Sequence, residues 1–509
     1  MQHTFNIDSI CGDSRFILNP NFRLRDEESH MILYGNQGLG LWPLHHSYGI
    51  ALSLCDGKRR FHDIVRSVRS FVDEADDEVA YQSISDILRP FFYSMTLTRE
   101  EQKGSEPMPK IYPSDAPLLL IEDYRKLFSG KKYFDMNYDP KEFLPKGKHT
   151  PAPSTSPHCS IPLSLGWHLT SECTTDCRYC YLGRRSIIPM PFERAKHIVH
   201  EAATLGIFGI DLLGGDVLLY PYLVALLDEM HQNKFLPTTI STKSFLSRNL
   251  AKDLEKVSEL FTDIQFSIDT DDEQIASYLV GVSDYPNRIF NSIENAVDVG
   301  LTVVAKVVIT PYNVLTVPRL YRKLKERGVS AIRLAAYARS GYHHSDDLFL
   351  NSQCYAWLNT EVEKLQQEYP GDRVTIQNGQ PIFEPVSREI RKEAWNKKSL
   401  CTAGRTVMTI CADGKVIPCE QMPETEEYFC GDVSHQSIMD VWNGDRLKEM
   451  TYGMPREKFQ GAPCYDCEER EECHNVVGYC IRDLAAHYGS IYQPPPNCYR
   501  HDLPFVRMT

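Results

Sequence analysis

Three cysteines stand close together in TSECTTDCRYC, at Cys173, Cys177 and Cys180. In one loop, three thiolates at this CxxxCxxC spacing can hold three irons of a [4Fe-4S] cluster and leave the fourth iron open to another ligand. Zinc is the competing reading, with four closed ligands for structure or three plus water for catalysis. A second set runs Cys401, twelve residues, Gly414, four residues, Cys419, then Cys464-x2-Cys467-x5-Cys473, Cys480 and Cys498. A zinc ribbon accounts for the CxxC pair Cys464 and Cys467 but not for the other five. Twelve of the 16 cysteines fall in these two stretches, which points to metal binding rather than disulfides.

Something must carry these loops. From Ile161 onward, short apolar strands alternate with helices, and Gly206, Gly300 and Gly328 each stand where a helix should close in the left-handed conformation before a new strand. The strands LSLGWHL, GIDLLGG, TTIST, IQFSIDT, TVVAKVVIT and AIRLAAY give six strand-helix units. They predict an α/β fold whose parallel sheet curls into a partial, TIM-like barrel. The active face should lie at the C-terminal strand ends, where Cys173 to Cys180 follow the first strand. Ser267 and Asp269 lie two apart and share a strand face, where two polar side chains at a barrel mouth could take a pair of ligand hydroxyls. Lys306 and Arg333 are charges inside apolar strands. Burying either alone costs several kcal/mol, so each faces an anion or sits in a structural ion pair, and Lys243 in TTISTKS is a weaker case.

Upstream, NFRLRDEESHMILY reads as a hairpin around Phe22 to Leu24 and Met31 to Tyr34, with GLGLWPL as a third strand. Three helices follow in HSYGIALSLCDG, RRFHDIVRSVRSFV and DEVAYQSISDILRPFFYSM. Residues 101–157, rich in Pro, Lys and Ser, read as a linker with one docked helix at LLLIEDYRKLF. The remaining boundaries are a barrel over 158–340, a helical bridge over 341–397 and a cysteine-rich domain over 398–509.

The net charge of -13 excludes a nucleic-acid footprint, which needs clustered Lys and Arg. The longest apolar stretch, Ile207 to Leu227, is interrupted by Asp211, Asp216 and Pro221, so no membrane span is expected. The first residues lack a basic start and an apolar core, which predicts no secretory signal and a cytoplasmic protein.

The CxxxCxxC motif with Tyr179 before its last cysteine, followed one strand later by Gly214-Gly215-Asp216, resembles the signature of the radical S-adenosylmethionine (SAM) superfamily. The resemblance implies that the open iron is chelated by the SAM amine and carboxylate, and that one electron cleaves SAM to a 5'-deoxyadenosyl radical that removes a substrate hydrogen. It also implies that Gly214, Gly215 and Asp216 contact the methionine amino group and that Tyr179, Ser267, Asp269 and Lys306 belong to the cofactor site. The second cysteine set resembles the SPASM extension, with two auxiliary [4Fe-4S] clusters and so three clusters in all. In that resemblance Cys464, Cys467, Cys473 and Cys498 bind the outer cluster and Cys401, Cys419 and Cys480 the inner one. The inner cluster is then one ligand short, to be completed by Cys411, by Cys430 or by a substrate thiolate. Six residues separate Cys473 from Cys480 where three are usual. Glu420, next to Cys419, matches the base of the related sulfatase-maturing enzymes; its alternative is an exposed carboxylate or a hydrogen-bond partner near the cluster.

GIALSLCDGKRRFHDIV resembles the PqqD-like recognition element of ribosomal-peptide maturation systems, a winged-helix-like α+β domain over residues 1–100 in which a leader peptide adds as a strand. These resemblances imply a maturase that modifies a precursor peptide through a thioether or carbon-carbon crosslink, with a flavodoxin or ferredoxin as reductant. The alternatives are a SPASM enzyme acting on a folded protein side chain or a small molecule, and a non-enzymatic iron-sulfur electron carrier.

Overall fold

The structure is a computed structural model. It describes residues 12–27, 30–35, 41–70, 77–92, 116–121, 125, 138–144, 158–183, 187–207, 209–377, 385–397, 401–496, 498–501, 503 and 507. The chain divides into two compact units, Met1–Ser156 and Pro157–Thr509.

In the first unit, strand β1 (Arg15–Leu18) precedes an antiparallel meander of β2 (Phe22–Asp26), β3 (Met31–Gly35) and β4 (Leu41–Leu44). The expected hairpin and third strand are this meander. Helices His46–Ser53, Phe61–Arg69 and Asp77–Leu88 follow where the sequence predicts them. Their apolar faces meet on an aromatic cluster in which Phe16 lies edge-on to Phe61 and Phe92, at 5.7 and 5.0 Å between centroids. The structure adds a second sheet, because β1 pairs with β5 (Asp56–Arg60) on one side and with β6 (Leu118–Leu120) on the other. In LLLIEDYRKLF, where a helix is expected, the three leucines form this strand, while Ile121 and Arg125 are helical as expected; the other residues of the segment lie outside the described ones. A three-residue apolar run has no periodicity to separate strand from helix, and pairing with β1 decides it. Phe143, also from the expected linker, is buried in the same core.

The second unit holds all six predicted barrel strands: β7 (Ser164–Thr170), β8 (Gly209–Gly214), β9 (Thr238–Thr242), β10 (Phe261–Ser267), β11 (Val303–Ile309) and β12 (Ala331–Ala336). Gly206, Gly300 and Gly328 close the intervening helices with positive φ, as expected. The ladder is not continuous. β9 to β12 are hydrogen-bonded in parallel and extended by β13 (Ile376–Gln377). β7 and β8 pair with each other and, through β14 (Val407–Ile410), with the C-terminal strands β15 (Lys415–Ile417) and β16 (Gly431–Asp432). Among the described residues no ladder joins β8 to β9. Side chains bridge that seam instead. The expected helical bridge, residues 341–397, contains helices Ser352–Glu368 and Arg388–Lys397 as well as β13. Among the described residues, no helix is long and apolar enough to cross a membrane.

The exits of β10 and β11 are tied by one buried amide. Asn313 Nδ2 donates to the carbonyls of Asp269 (2.7 Å) and Val308 (2.8 Å), and its Oδ1 accepts from the Thr310 N–H at 2.7 Å. Replacing Asn313 with Ala strands three buried backbone groups, a cost of roughly 3 kcal/mol at about 1 to 3 kcal/mol for each buried group left unpaired, discounted for relaxation. A thermal melt of Asn313→Ala should show a midpoint several degrees below that of the unsubstituted protein.

Candidate functional site

The loop after β7 brings Cys173, Cys177 and Cys180 together. The Thr175 hydroxyl sits between two of the thiols, 3.3 Å from Cys173 Sγ and 3.4 Å from Cys177 Sγ. The loop is pinned by its backbone: Asp176 and Arg178 donate to the carbonyls of Val280 and Leu279, and the His343 N–H donates to Cys180 O at 3.1 Å. A single zinc ion with bonds of about 2.3 Å would hold its sulfurs within about 4 Å of one another. Among the described residues the one group of three ligand atoms lying within 4.8 Å of one another is His168, Cys411 and Glu424. The wider thiol sets suit a multi-iron cluster better than a mononuclear ion.

The two glycines of the GGD segment are required by this loop. The Gly215 N–H donates to Thr170 O and the Asp216 N–H to Glu172 O, both at 2.7 Å. A Cβ at Gly215 would lie 2.0 Å from Glu172 O, and one at Gly214, where φ is +123°, would lie 2.5 Å from Thr170 O. The sequence suggests that these glycines expose backbone to a ligand; the space is filled by the cluster loop's own backbone. Asp216 differs from expectation too. It is 1% exposed, and its carboxylate accepts from the Thr242 hydroxyl (2.8 Å), the Lys243 N–H (2.9 Å), the Ser244 hydroxyl (2.9 Å) and the Leu218 N–H (3.1 Å). Rather than waiting for an ammonium, it stitches the exit of β8 to that of β9.

A second node binds the loop to β10. Tyr179 donates its hydroxyl to Asp269 Oδ2, Lys243 Nζ donates to the Tyr179 oxygen at 3.0 Å, and Asp269 Oδ1 accepts from the Val308 N–H at 2.8 Å. Burial works against the Lys243 ammonium, but the Asp269 carboxylate and then the Tyr179 oxygen outweigh it and hold the pKa well above the ordinary lysine value. Burial likewise pushes the Cys177 thiol up, and the Lys243 ammonium pulls it back. Asp269, with both oxygens engaged, is not presented as the free ribose partner that its spacing from Ser267 suggests. Ser267 keeps a half-exposed side chain, and its carbonyl accepts from the Tyr285 hydroxyl at 2.6 Å.

Below this mouth the barrel interior is polar, which the sequence shows only in part. Asp211 of β8 has its carboxyl pushed up to about 6, by burial first and then by Glu420. Burial pulls the Lys306 ammonium below its ordinary value, opposed by Glu420 and reinforced by Arg333. Glu420 also acts on Tyr181, whose phenol is raised well above its usual value by burial, then by Glu420, Cys180 and Cys419. The Glu420 charge thus reaches Asp211, Lys306 and Tyr181 from the cysteine-rich segment, and Tyr181 is near enough to feel both Cys180 and Cys419. Neither Tyr181 nor Asp211 carries a motif that would have singled it out.

Cys464, Cys467, Cys473 and Cys498 line one enclosed cavity with Trp395 and Tyr499. Burial raises the Cys419 thiol, and after Glu420 the Cys480 and Cys401 thiols add to it, so these three are also neighbours. The long spacing before Cys480 is absorbed by a π-helical turn, Glu471–Val477. Its last carbonyls are capped by the buried Arg405 guanidinium, which donates to His474 O and Asn475 O at 3.0 Å and to Val476 O at 3.3 Å. Cys430 donates its thiol to Val416 O at 3.2 Å, and Cys411 packs with His168 and Glu424, whose side chains meet at 2.8 Å. Neither is among the strongest influences on Cys419.

Two family profiles match this arrangement. The radical SAM superfamily covers residues 167–334, and the iron-sulfur cluster-binding SPASM domain covers residues 401–468. The chain is a radical SAM enzyme. The profiles imply SAM and iron-sulfur clusters, and the thiol sets described above fit both. The radical SAM enzyme is 23% identical over 357 residues to the PqqA peptide cyclase of Methylorubrum extorquens (strain PA1), spanning 69% of this chain and 88% of the relative. Its fold is similar to the crystal structure of Streptococcus suis SuiB, with a TM-score of 0.59 at 18% identity, covering 95% of this chain and 99% of that one. SuiB bound to the precursor peptide SuiA gives 0.58 at 18% identity, over 94% and 98% of the two chains. The SPASM match ends just past Cys467, so Cys473, Cys480 and Cys498 rest on the geometry given above.

Gly215→Ala should force the cluster loop outward and lower the iron bound per chain after anaerobic reconstitution, whereas Gly371→Ala, with open space at its Cβ, should bind as much iron as the unsubstituted enzyme. Asp211 yields a pH signature. Its carboxyl keeps a proton to about pH 6 in the fold against 3.8 as the ordinary value, so its contribution is fully present below the lower value and is lost as pH rises through the higher one. In thermal melts of the apoprotein, Asp211→Asn should therefore gain on the unsubstituted protein between pH 5 and pH 7, by about 1 kcal/mol.

Proposed function

We propose that this radical SAM enzyme modifies a ribosomally made precursor peptide, gripping its leader with the first unit and forming a thioether or carbon-carbon crosslink in its core. The observation that carries the reading is the first unit itself, a three-stranded meander with helices, in the same chain as a radical SAM barrel and a SPASM segment. On β2 the outward Leu24 N–H is taken by the Tyr138 hydroxyl at 3.1 Å. That leaves β4, at the other end of the sheet order, as the edge on which a leader strand adds through main-chain hydrogen bonds. The names of the PqqA peptide cyclase and of SuiB bound to precursor peptide SuiA support the same substrate class.

In this reading Cys173, Cys177 and Cys180 hold the cluster at which SAM binds, Cys401, Cys419 and Cys480 the inner auxiliary cluster, and Cys464, Cys467, Cys473 and Cys498 the outer one. When bound, the first cluster and SAM supply a 5'-deoxyadenosyl radical for hydrogen abstraction. The chain's own residues position and shield. Thr175 and the Lys243 ammonium sit against the first thiols, and the Tyr179–Lys243–Asp269 node fixes the loop to the barrel. Glu420 looks into the lumen as the base for a substrate proton, beside an inner cluster left open for a substrate thiolate. A flavodoxin or ferredoxin supplies the electron.

Replacing Cys173, Cys177 and Cys180 together with Ala should abolish 5'-deoxyadenosine production and remove about four irons per chain while the auxiliary iron stays. Cleavage of SAM by that variant would end the assignment of the first cluster. For the substrate, the full-length reconstituted enzyme should bind one of the short peptides encoded beside its gene, and lose it when the peptide's N-terminal part is removed. SAM cleavage with no affinity for any such peptide would transfer the enzyme to a protein side chain or a small molecule.

A further inference from the structure

Two cations in the barrel lumen have no partner in the chemistry described so far. Lys306 of β11 and Arg333 of β12 are register neighbours. Arg333 reaches past β11 to donate to Gln265 Oε1 of β10 at 2.8 Å, which places it on the concave face. Gln265 in turn donates to the Ser241 hydroxyl of β9 at 2.8 Å, so the guanidinium is held at a fixed point by a polar ladder across the sheet.

Four other cations of the barrel are matched. Lys243 lies 3.7 Å from Asp269, Arg319 and Lys323 lie 2.7 and 2.6 Å from Asp271, and Lys325 lies 3.0 Å from Asp372. Among the described residues neither Lys306 nor Arg333 has a carboxylate within the 4.0 Å of an ion pair, and the Lys306 ammonium makes no hydrogen bond. The carboxylates whose charge reaches Lys306 are Glu420 and Asp269. Asp269 is engaged with Tyr179 and Val308, and Glu420 stays beyond pairing distance. Two half-buried like charges side by side repel in a medium of reduced dielectric, and the arrangement is relieved when an anion enters between them.

We infer that Lys306 and Arg333 form a carboxylate subsite inside the barrel, filled by an acidic side chain, Glu or Asp, of the substrate peptide. The inference rests on the peptide reading given above. A planar guanidinium fixed by Gln265 suits a two-oxygen carboxylate, and the lysine adds a point charge from the neighbouring strand. The other source of a carboxylate is the methionine end of SAM. The depth of the site favours the peptide: Val308, whose N–H meets Asp269 at the level of the cluster loop, is two residues nearer the mouth than Lys306. Glu420 faces the same space, so an acidic residue docked here is held beside the candidate base.

The test uses the full-length, anaerobically reconstituted enzyme saturated with SAM and two probes, acetyl-Ala-Glu-Ala-amide and acetyl-Ala-Gln-Ala-amide, with binding read by calorimetry. The acidic probe should bind at least tenfold more tightly than its amide twin. Lys306→Met/Arg333→Gln should erase that preference while changing the dissociation constant for SAM less than twofold. Gln265→Glu, close in size to the native side chain, places a carboxylate against Arg333; it should also erase the preference and raise the melting midpoint. Equal binding of the two probes by the unsubstituted enzyme overturns the subsite. A tenfold loss of SAM affinity in the double variant assigns the cations to the methionine carboxylate and also overturns it. Leader affinity, measured on the same preparations, separates failure of the subsite from failure of the peptide reading.

Discussion

The buried carboxylate of Asp216 sits at the seam between β8 and β9, where no hydrogen-bonded ladder runs among the described residues. A parallel barrel interrupted between two strands has nothing in its backbone to fix the height of one half against the other. Four donors do so here, three of them, Thr242, Lys243 and Ser244, at the exit of β9. The strand that presents this carboxylate is itself clamped to the cluster loop through Gly215 and Asp216 main-chain hydrogen bonds. The first thiol set, the exit of β8 and the exit of β9 are thereby one rigid corner. The Tyr179–Lys243–Asp269 node extends it to β10 and β11, and Asn313 closes it. An ion cluster on three thiols needs such a frame, because its ligands come from a loop with little secondary structure of its own.

Charge is distributed in layers along the barrel axis. At the mouth, Lys243 and Asp269 are paired and protected from solvent, an arrangement that holds geometry at some desolvation cost. One layer down, Asp211, Lys306 and Arg333 are half-buried and not paired with one another. The same contrast separates positioning from recognition in many sites: groups with satisfied partners set shape, and groups without them meet what enters.

The six barrel strands were legible because each is a short apolar run bounded by glycine or polar residues, a pattern set by burial on both faces. The cysteine motifs were legible because ligand spacing within one loop is a local property. What sequence could not show is who answers whom across the chain. Asp216 reads as an open acceptor until Thr242 and Ser244 are seen to fold over it, and Asp269 reads as a ribose partner until Tyr179 takes it from a loop 90 residues away. Asp211 reads only as an interruption in an apolar run, since its place in the lumen depends on register. Leu118 to Leu120 give no period, and their strand exists because β1 offers an edge.

The π-helical turn at Glu471–Val477 couples two thiol sets mechanically. Cys473 lies within the turn and Cys480 just beyond its capping glycine, Gly478, whose φ is +65°. In an α-helix each residue advances the chain by about 100° of rotation and 1.5 Å of rise, so the wider turn acts as a phase adjuster that lets extra residues pass without turning Cys480 away from Cys401 and Cys419. Arg405, four residues after Cys401, locks that phase by gripping the turn's last carbonyls. The outer and inner thiol sets are thus geared to each other, and the angular setting of one is inherited by the other.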